Sequence, residues 1–245
     1  MKRLFIMLLA GMLPLLATAQ RQMRVRKDVP LKSIVMSDPA ILADKKTNMY
    51  YMTGTGGMMW KSADLKLWEG PYRVTEFKDD SWMGPRPMIW AAELHQEGDK
   101  YYYFATFTNR AVIIDTVKGN AIERRASQVF VADNPMGPYR QFGDEAYLPA
   151  DRPTLDGTFW RDTDGKPYMV FCGEWLQNWN GTMEKIELKP DLSGTVGEPK
   201  VMFRASDSPW SREKDENGKI YQKVIFESSK DEAEKLFDAW LKEFG

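Results

Sequence analysis

Between Ile34 and Ala205 the chain alternates short apolar stretches with polar, glycine-bearing breaks. That pattern predicts strands and tight turns. Asp38-Pro39-Ala40-Ile41-Leu42 leads through the polar break Asp44 to Asn48 into Met49-Tyr50-Tyr51-Met52. Trp90-Ala91-Ala92-Glu93-Leu94-His95 leads through Gly98-Asp99-Lys100 into Tyr101-Tyr102-Tyr103-Phe104. Leu155-Asp156-Gly157-Thr158-Phe159-Trp160 leads through Asp164-Gly165-Lys166 into Tyr168-Met169-Val170-Phe171. Taking Asp38, Glu93 and Asp156 as anchors, the steps are 93−38=55 and 156−93=63 residues. Strand-rich units repeating at roughly fifty residues point to a radial β-architecture.

The turns follow their own chemistry. Gly54-Thr55-Gly56-Gly57 reads as a hairpin turn. It lacks the Lys-Ser/Thr of a phosphate-binding loop and the helix that would follow one. Thr108 to Arg125 reads as a long loop carrying Arg110, Asp115, Arg124 and Arg125, of a kind that reaches over a site. Glu184 to Leu188 alternates as a strand, and Val201-Met202-Phe203 is a last short one. The character then changes. Ser211 to Lys219 is densely charged, and Ser229-Lys230-Asp231-Glu232 opens a capping box. Leu236, Phe237, Trp240, Leu241 and Phe244 follow at helical spacing, which predicts an amphipathic C-terminal helix.

At the other end, Lys2 and Arg3 precede the apolar run Leu4 to Leu16 and the small-residue site Ala17-Thr18-Ala19. This is the layout of a secretory signal peptide over 1–19, shorter than the ~20 apolar residues of a membrane span. Residues 20–33 are basic and read as an irregular extension; 34–210 form the β-domain; 211–245 form the charged linker and helix. Export implies a periplasmic or extracellular location. The 34 basic and 35 acidic residues nearly cancel, which argues against nucleic acid or an anionic membrane as partner. The lone Cys172 cannot close an internal disulfide. Its apolar strand favours a structural thiol over a nucleophile, and His95 is the only histidine in the chain.

In a radial array the first strands line the axis, so Asp38, Glu93 and Asp156 would converge on one mouth. Convergent carboxylates raise one another's pKa, which suits acid–base work at a sugar acetal. The nine Trp and ten Tyr offer faces for core packing or for stacking on sugar rings. The order Asp38-Pro39-Ala40-Ile41, Trp90-Ala91-Ala92-Glu93-Leu94-His95, Leu155-Asp156-Gly157-Thr158-Phe159 resembles glycoside hydrolase family 43. Ser62-x-Asp64-Leu65-x-x-Trp68 and Asp133-x-Pro135-x-Gly137-Pro138-Tyr139 are similar to further phrases of that family, and the resemblance spans about Ser33 to Trp210.

The resemblance implies an all-β fold, a β-propeller of the five-bladed type with about three blades present. It implies Asp38 as general base and Asp156 as the carboxylate that tunes the general acid. Trp90, Glu93, Trp160 and Asp207 would line the substrate pocket. Substrates would be arabinofuranosyl, xylosyl or galactosyl units of an oligo- or polysaccharide, cleaved with inversion. No redox cofactor is implied; relatives can carry an axial structural calcium, whose usual histidine is not found here. The family's general acid, a Glu or Asp before Gly-Pro, is expected near Lys223-Val224, where the chain instead reads Ile225-Phe226-Glu227-Ser228-Ser229. Glu227 and Asp207 are the substitute candidates. Two functions therefore stand: a secreted glycosidase, impaired or not, and a non-catalytic carbohydrate-binding propeller fragment.

Overall fold

The computed structural model describes residues 24–144, 146–177 and 180–207. Over these residues the protein is all-β, as expected, with two short 3-10 turns at Leu31–Ser33 and Ala205–Asp207. The strands form three antiparallel sheets. The first contains β1 (Arg26–Pro30), β2 (Ala40–Asp44), β3 (Met49–Thr53), β4 (Met58–Ser62) and β5 (Leu67–Arg73), in the order β1-β5-β4-β3-β2. The second is the meander β6 (Met88–Glu97), β7 (Lys100–Val117), β8 (Asn120–Ala132) and β9 (Arg140–Gln141). The third is β10 (Thr154–Arg161), β11 (Pro167–Gly173), β12 (Thr182–Leu188) and β13 (Thr195–Arg204). In each repeat the opening strand, β2, β6 or β10, takes one edge of its sheet; β2 meets β6, and β10 meets β6, β7 and β8.

The middle sheet explains why Tyr101 to Phe107 reads as an unbroken apolar run. Alternate side chains of β7 point to opposite faces, and both faces are covered. Tyr101, Tyr103, Ala105 and Phe107 pack with Tyr51 and Met59 of the first sheet. Tyr102 and Phe104 pack with Met169, Phe171, Ile186 and Leu188 of the third. A third cluster, Val29, Met52, Trp60 and Trp68, fills the far face of the first sheet. Asp44 ties the first two sheets at its end of β2. Its carboxylate accepts bonds from the Lys46 and Thr47 amides, from the Thr47 hydroxyl at 2.6 Å and from the Tyr101 hydroxyl at 3.0 Å.

Two expectations are corrected. Within the basic segment 20–33, Arg26–Pro30 is an ordered strand that pairs antiparallel with β5, Val29 opposite Trp68. Burying Val29 against Trp60 and Trp68 is what recruits it to the sheet. Thr108 to Arg125 is a hairpin extension rather than a loop. β7 and β8 pair down to Val117–Asn120 and turn through Lys118 and Gly119, both at positive φ (51° and 80°). Such a two-residue turn matches strand twist. The expected signal peptide over 1–19, the candidate Glu227 and the expected C-terminal helix lie outside the described residues.

Candidate functional site

The first strand of each repeat bulges at one place, where two residues face one on the neighbouring strand. In the second sheet Trp90 pairs with Thr106 and Glu93 with Phe104, so Ala91 and Ala92 share the gap. In the third, Leu155 pairs with Cys172 and Thr158 with Val170, leaving Asp156 and Gly157. In the first, Ser37 accepts the Thr55 amide at 3.0 Å and Ala40 pairs with Thr53, leaving Asp38 and Pro39. The first bulged residue has positive φ each time: Asp38 at 53°, Ala91 at 42°, Asp156 at 54°. Aspartate tolerates this left-handed conformation better than most residues. Asp38 and Asp156 are therefore structurally equivalent, and Ala91 is their counterpart. This corrects the expected register: Glu93 sits two positions further along β6 because an alanine occupies the bulge.

The second and third bulges are each fastened to the preceding sheet. The Thr55 hydroxyl accepts the Ala91 amide at 3.0 Å, and the buried Thr106 hydroxyl accepts the Asp156 amide at 2.8 Å. Ser127, also buried, accepts the Gly157 amide at 2.8 Å and bonds Thr106 at 3.0 Å. Gly157 is required there, because a Cβ would lie 2.5 Å from that of Ser127. The two aspartates then diverge. Asp38 Oδ2 accepts the Thr55 hydroxyl at 2.6 Å. Asp156 is raised above the ordinary carboxylate value, first by desolvation, then by the charges of Asp38 and Glu174; Arg125 opposes this. The Asp156 carboxyl thus borders a space within electrostatic reach of Asp38.

One wall of that space runs from the second sheet to the third. Trp90 Nε1 donates to the buried Thr108 hydroxyl at 3.1 Å, and Arg125 Nε donates to the same oxygen at 2.9 Å. The guanidinium lies 5.8 Å from the Trp90 ring centroid and pairs with Glu174 through Nη1. Beyond it, Asp115 on the β7–β8 hairpin accepts from Gln177 at 2.8 Å. The hairpin thus latches onto the segment after β11. On another side, Glu93 Oε1 accepts the Phe159 amide at 3.3 Å and bonds His95 Nε2 at 2.7 Å. His95 is wedged between Phe104 and Phe159, ring centroids 5.3 Å away on each side.

The sequence profile of Glycosyl hydrolases family 43 matches residues 28–222. This chain belongs to that family. It is 28% identical over 193 residues to an extracellular endo-α-(1→5)-L-arabinanase of Thermotoga petrophila, covering 64% of this chain and 36% of the relative. Among solved structures it is similar to the endo-arabinase of Bacteroides thetaiotaomicron, with 33% identity and a TM-score of 0.64. That match covers 76% of this chain and 62% of the other. The chain thus spans little more than a third of the curated relative and under two thirds of the solved one.

Within this family 43 chain, Asp38, Asp156, Trp90 and Glu93 gather around the bulges; the other two sequence candidates do not. Trp160 is 55% exposed and lies four residues beyond Asp156 along β10, roughly 13 Å away at strand spacing. Asp207 follows β13, on the sheet edge opposite β10, and its carboxylate accepts the Arg204 amide at 2.7 Å. Cys172 occupies the place in the third sheet that Thr55 and Thr106 hold in the others. Burial raises its thiol pKa, with Asp156, Glu174 and Glu184 adding to the shift, the reverse of an activated nucleophile. Sequence reasoning missed Thr55, Thr106, Ser127, Thr108 and Glu174, and took Arg125 for a loop residue. A partial signal was present: counted from the first bulged residue, Thr55 lies 55−38=17 residues on and Thr106 106−91=15, with Cys172 at 172−156=16 in the third repeat. Among the described residues no group of three or more His, Cys, Asp or Glu gathers as a cation site.

Proposed function

We propose that this chain carries the acid–base half-site of a secreted family 43 glycosidase acting on α-1,5-linked arabinofuranosyl chains. The three sheets are read as consecutive propeller blades around one axis. The observation that carries this reading is the pair of equivalent bulges. They set Asp38 and Asp156 in different environments, one held by a hydroxyl and the other desolvated within reach of its partner's charge. Different environments let two carboxylates take different roles, here a base and a group that tunes the proton donor.

In the proposed reaction Asp38 takes a proton from water as the water oxygen attacks the anomeric carbon. The bond to the leaving oxygen breaks on the opposite face, which inverts the centre. Asp156 supplies the neighbouring charge that tunes the proton donor, with Trp90 and Glu93 as pocket walls. The leaving oxygen takes its proton from a general acid, for which Glu227, outside the described residues, and Asp207 are the sequence candidates. The similarity to two arabinan-cleaving enzymes, one named extracellular, supports the substrate class and the export read from residues 1–19. A non-catalytic carbohydrate-binding role is the second reading. It is favoured by Glu174: its charge reaches Asp156, but the group is tied to Arg125 rather than free to pass a proton.

The deciding experiment uses 4-nitrophenyl α-L-arabinofuranoside, whose phenolate leaves without a proton donor. We expect slow hydrolysis by the full chain, a loss of at least about 10²-fold in Asp38→Asn, and weaker action on linear arabinan. Arabino-oligosaccharide binding with no hydrolysis of either substrate would establish the binding role instead.

A further inference from the structure

We propose that Thr55 is a positioning residue for the candidate base, hanging the Asp38 carboxylate from the backbone of the adjacent sheet. This rests on the reading of Asp38 as base. The directions of the two bonds are forced. The Ala91 amide can only donate, so at 3.0 Å it occupies a lone pair of Thr55 Oγ1. A carboxylate can only accept, so the single hydroxyl proton of Thr55 goes to Asp38 Oδ2, 2.6 Å away. The result is a polarised relay, Ala91 N–H to Thr55 O–H to Asp38, running from the second sheet into the first. Charge-assisted bonds of this length are the strong ones, and the relay polarises both members.

Thr106 shows that this is more than the fastening of one sheet to the next. It occupies the equivalent position and accepts the equivalent amide, that of Asp156. Yet its remaining hydroxyl contact is to Ser127, not to a carboxylate. The same joint is therefore used twice, and only the first copy delivers its proton to an aspartate side chain. Asp38 itself is exposed, at the mouth of β2. A solvent-exposed carboxylate has two side-chain torsions free. The Thr55 bond selects one arrangement, with Oδ2 tied and Oδ1 left for a water. The backbone is secured by independent means: Thr55 donates its amide to Ser37, and Gly56 donates to Ile89 at 2.8 Å. Removing the hydroxyl therefore releases the carboxylate more than the fold.

The test is steady-state hydrolysis of 4-nitrophenyl α-L-arabinofuranoside by full-length variants. Thr55→Val should lower kcat by about 10- to 100-fold, the scale of a misplaced reacting group, while KM moves less than about threefold. Thr55→Ser restores the hydroxyl and should return kcat to within about threefold of the parent. Thr55→Cys keeps a small side chain with a weak donor, so it should fall between them; it serves as the measurement if the valine variant does not fold. A kcat within about twofold of the parent in Thr55→Val or Thr55→Cys would overturn the positioning role while leaving Asp38 as base. A serine variant as slow as the valine one would do the same. A parent chain without any turnover would overturn the glycosidase reading, and this role with it.

Discussion

Replacing Arg125 by glutamine should strike stability and the Asp156 carboxyl together, in directions that can be worked out beforehand. The Arg125 guanidinium pairs with Glu174, donates to Thr108 at 2.9 Å and faces Trp90. Glu174 keeps 8% of its side chain in contact with solvent, whereas Arg125 keeps 26%. Stripping one partner from a fully buried pair costs about 3–5 kcal/mol. Because water reaches the arginine end, we take about 2–3 kcal/mol here. For a domain of this size that lowers Tm by about 4–12 °C, read by thermal unfolding followed by circular dichroism. Arg125 also pulls down the pKa of Asp156, while Glu174 pushes it up. Arg125→Gln should therefore move the Asp156 carboxyl further above 3.8, and Glu174→Gln should move it back toward 3.8, as followed by carbon-13 carboxyl titration. The linkage sign follows. A carboxyl raised in the native state contributes stability that is complete below 3.8 and is lost as pH rises through the native value. The cost of Arg125→Gln should consequently be larger at pH 7 than at pH 3.5. Shifts of the same sign in the two variants, or a Tm change below about 1 °C in Arg125→Gln, would refute this reasoning.

Two further substitutions probe the frame around the site. Tyr101→Phe removes the 3.0 Å bond to Asp44, which is 2% exposed, and should cost about 1–2 kcal/mol at pH 7 in urea unfolding. Burial pushes the Asp44 carboxyl up, but the bonds from Thr47, Lys46 and Tyr101 outweigh it and hold the group below 3.8, so this cost should fade only as pH drops below 3.8. Burial and Asp44 together push the Tyr101 hydroxyl up to about 12, so it remains a donor across the neutral range. Gly54→Ala would put a Cβ 2.6 Å from the Ser37 carbonyl oxygen and 2.9 Å from that of Asp38, and should destabilise by about 1–3 kcal/mol while shifting the candidate base. An unchanged Tm in that variant would show that the first bulge is not packed against β3 as described.

Much of this architecture could be read from residue patterns. Tyr101 to Phe107 announced a strand covered on both faces, and Met169 and Phe171 announced one with a single core face, because alternation is a local property of the backbone. Asp38 and Asp156 were legible because both precede an apolar strand at a comparable place in their repeat. Three things were not legible. Arg26–Pro30 has little apolar content, so its pairing depends on Trp60 and Trp68, more than thirty residues away. The hairpin Asn109–Arg124 buries Ile122 but leaves Val112 and Ile113 exposed, so its apolar pattern matches no single core face, and a two-residue turn at Lys118-Gly119 carries a weak signal in sequence. Glu93 was placed in the ring of carboxylates because acid spacing is visible in a sequence and bulges are not. The bulge in β6 puts Ala91, two residues before Glu93, at the place Asp38 and Asp156 hold, which shifts the equivalence from Glu93 to Ala91.

That shift changes what the repeat is for. The same backbone device, a bulge with one residue in left-handed conformation fastened by a hydroxyl of the preceding sheet, is built twice among the described residues, at Ala91 and Asp156. At Ala91 the bulge has no side chain that could act as acid or base, and its amide serves only to hold Thr55. At Asp38 the side chain is what is held. At Asp156 the amide is held and the carboxyl is left in a desolvated setting, balanced between Asp38 and Glu174 on one side and Arg125 on the other. Identical backbone geometry would place three identical groups symmetrically, and symmetric carboxylates would compete for one proton on equal terms. Distinct roles require the neighbours to differ. The neighbours that differ are Thr55, Arg125 and Glu174, each contributed by an element other than the one bearing the aspartate it affects. The difference between the two aspartates' settings is thus supplied by neighbouring elements, and substitutions at Thr55, Arg125 or Glu174 should alter it without touching either aspartate.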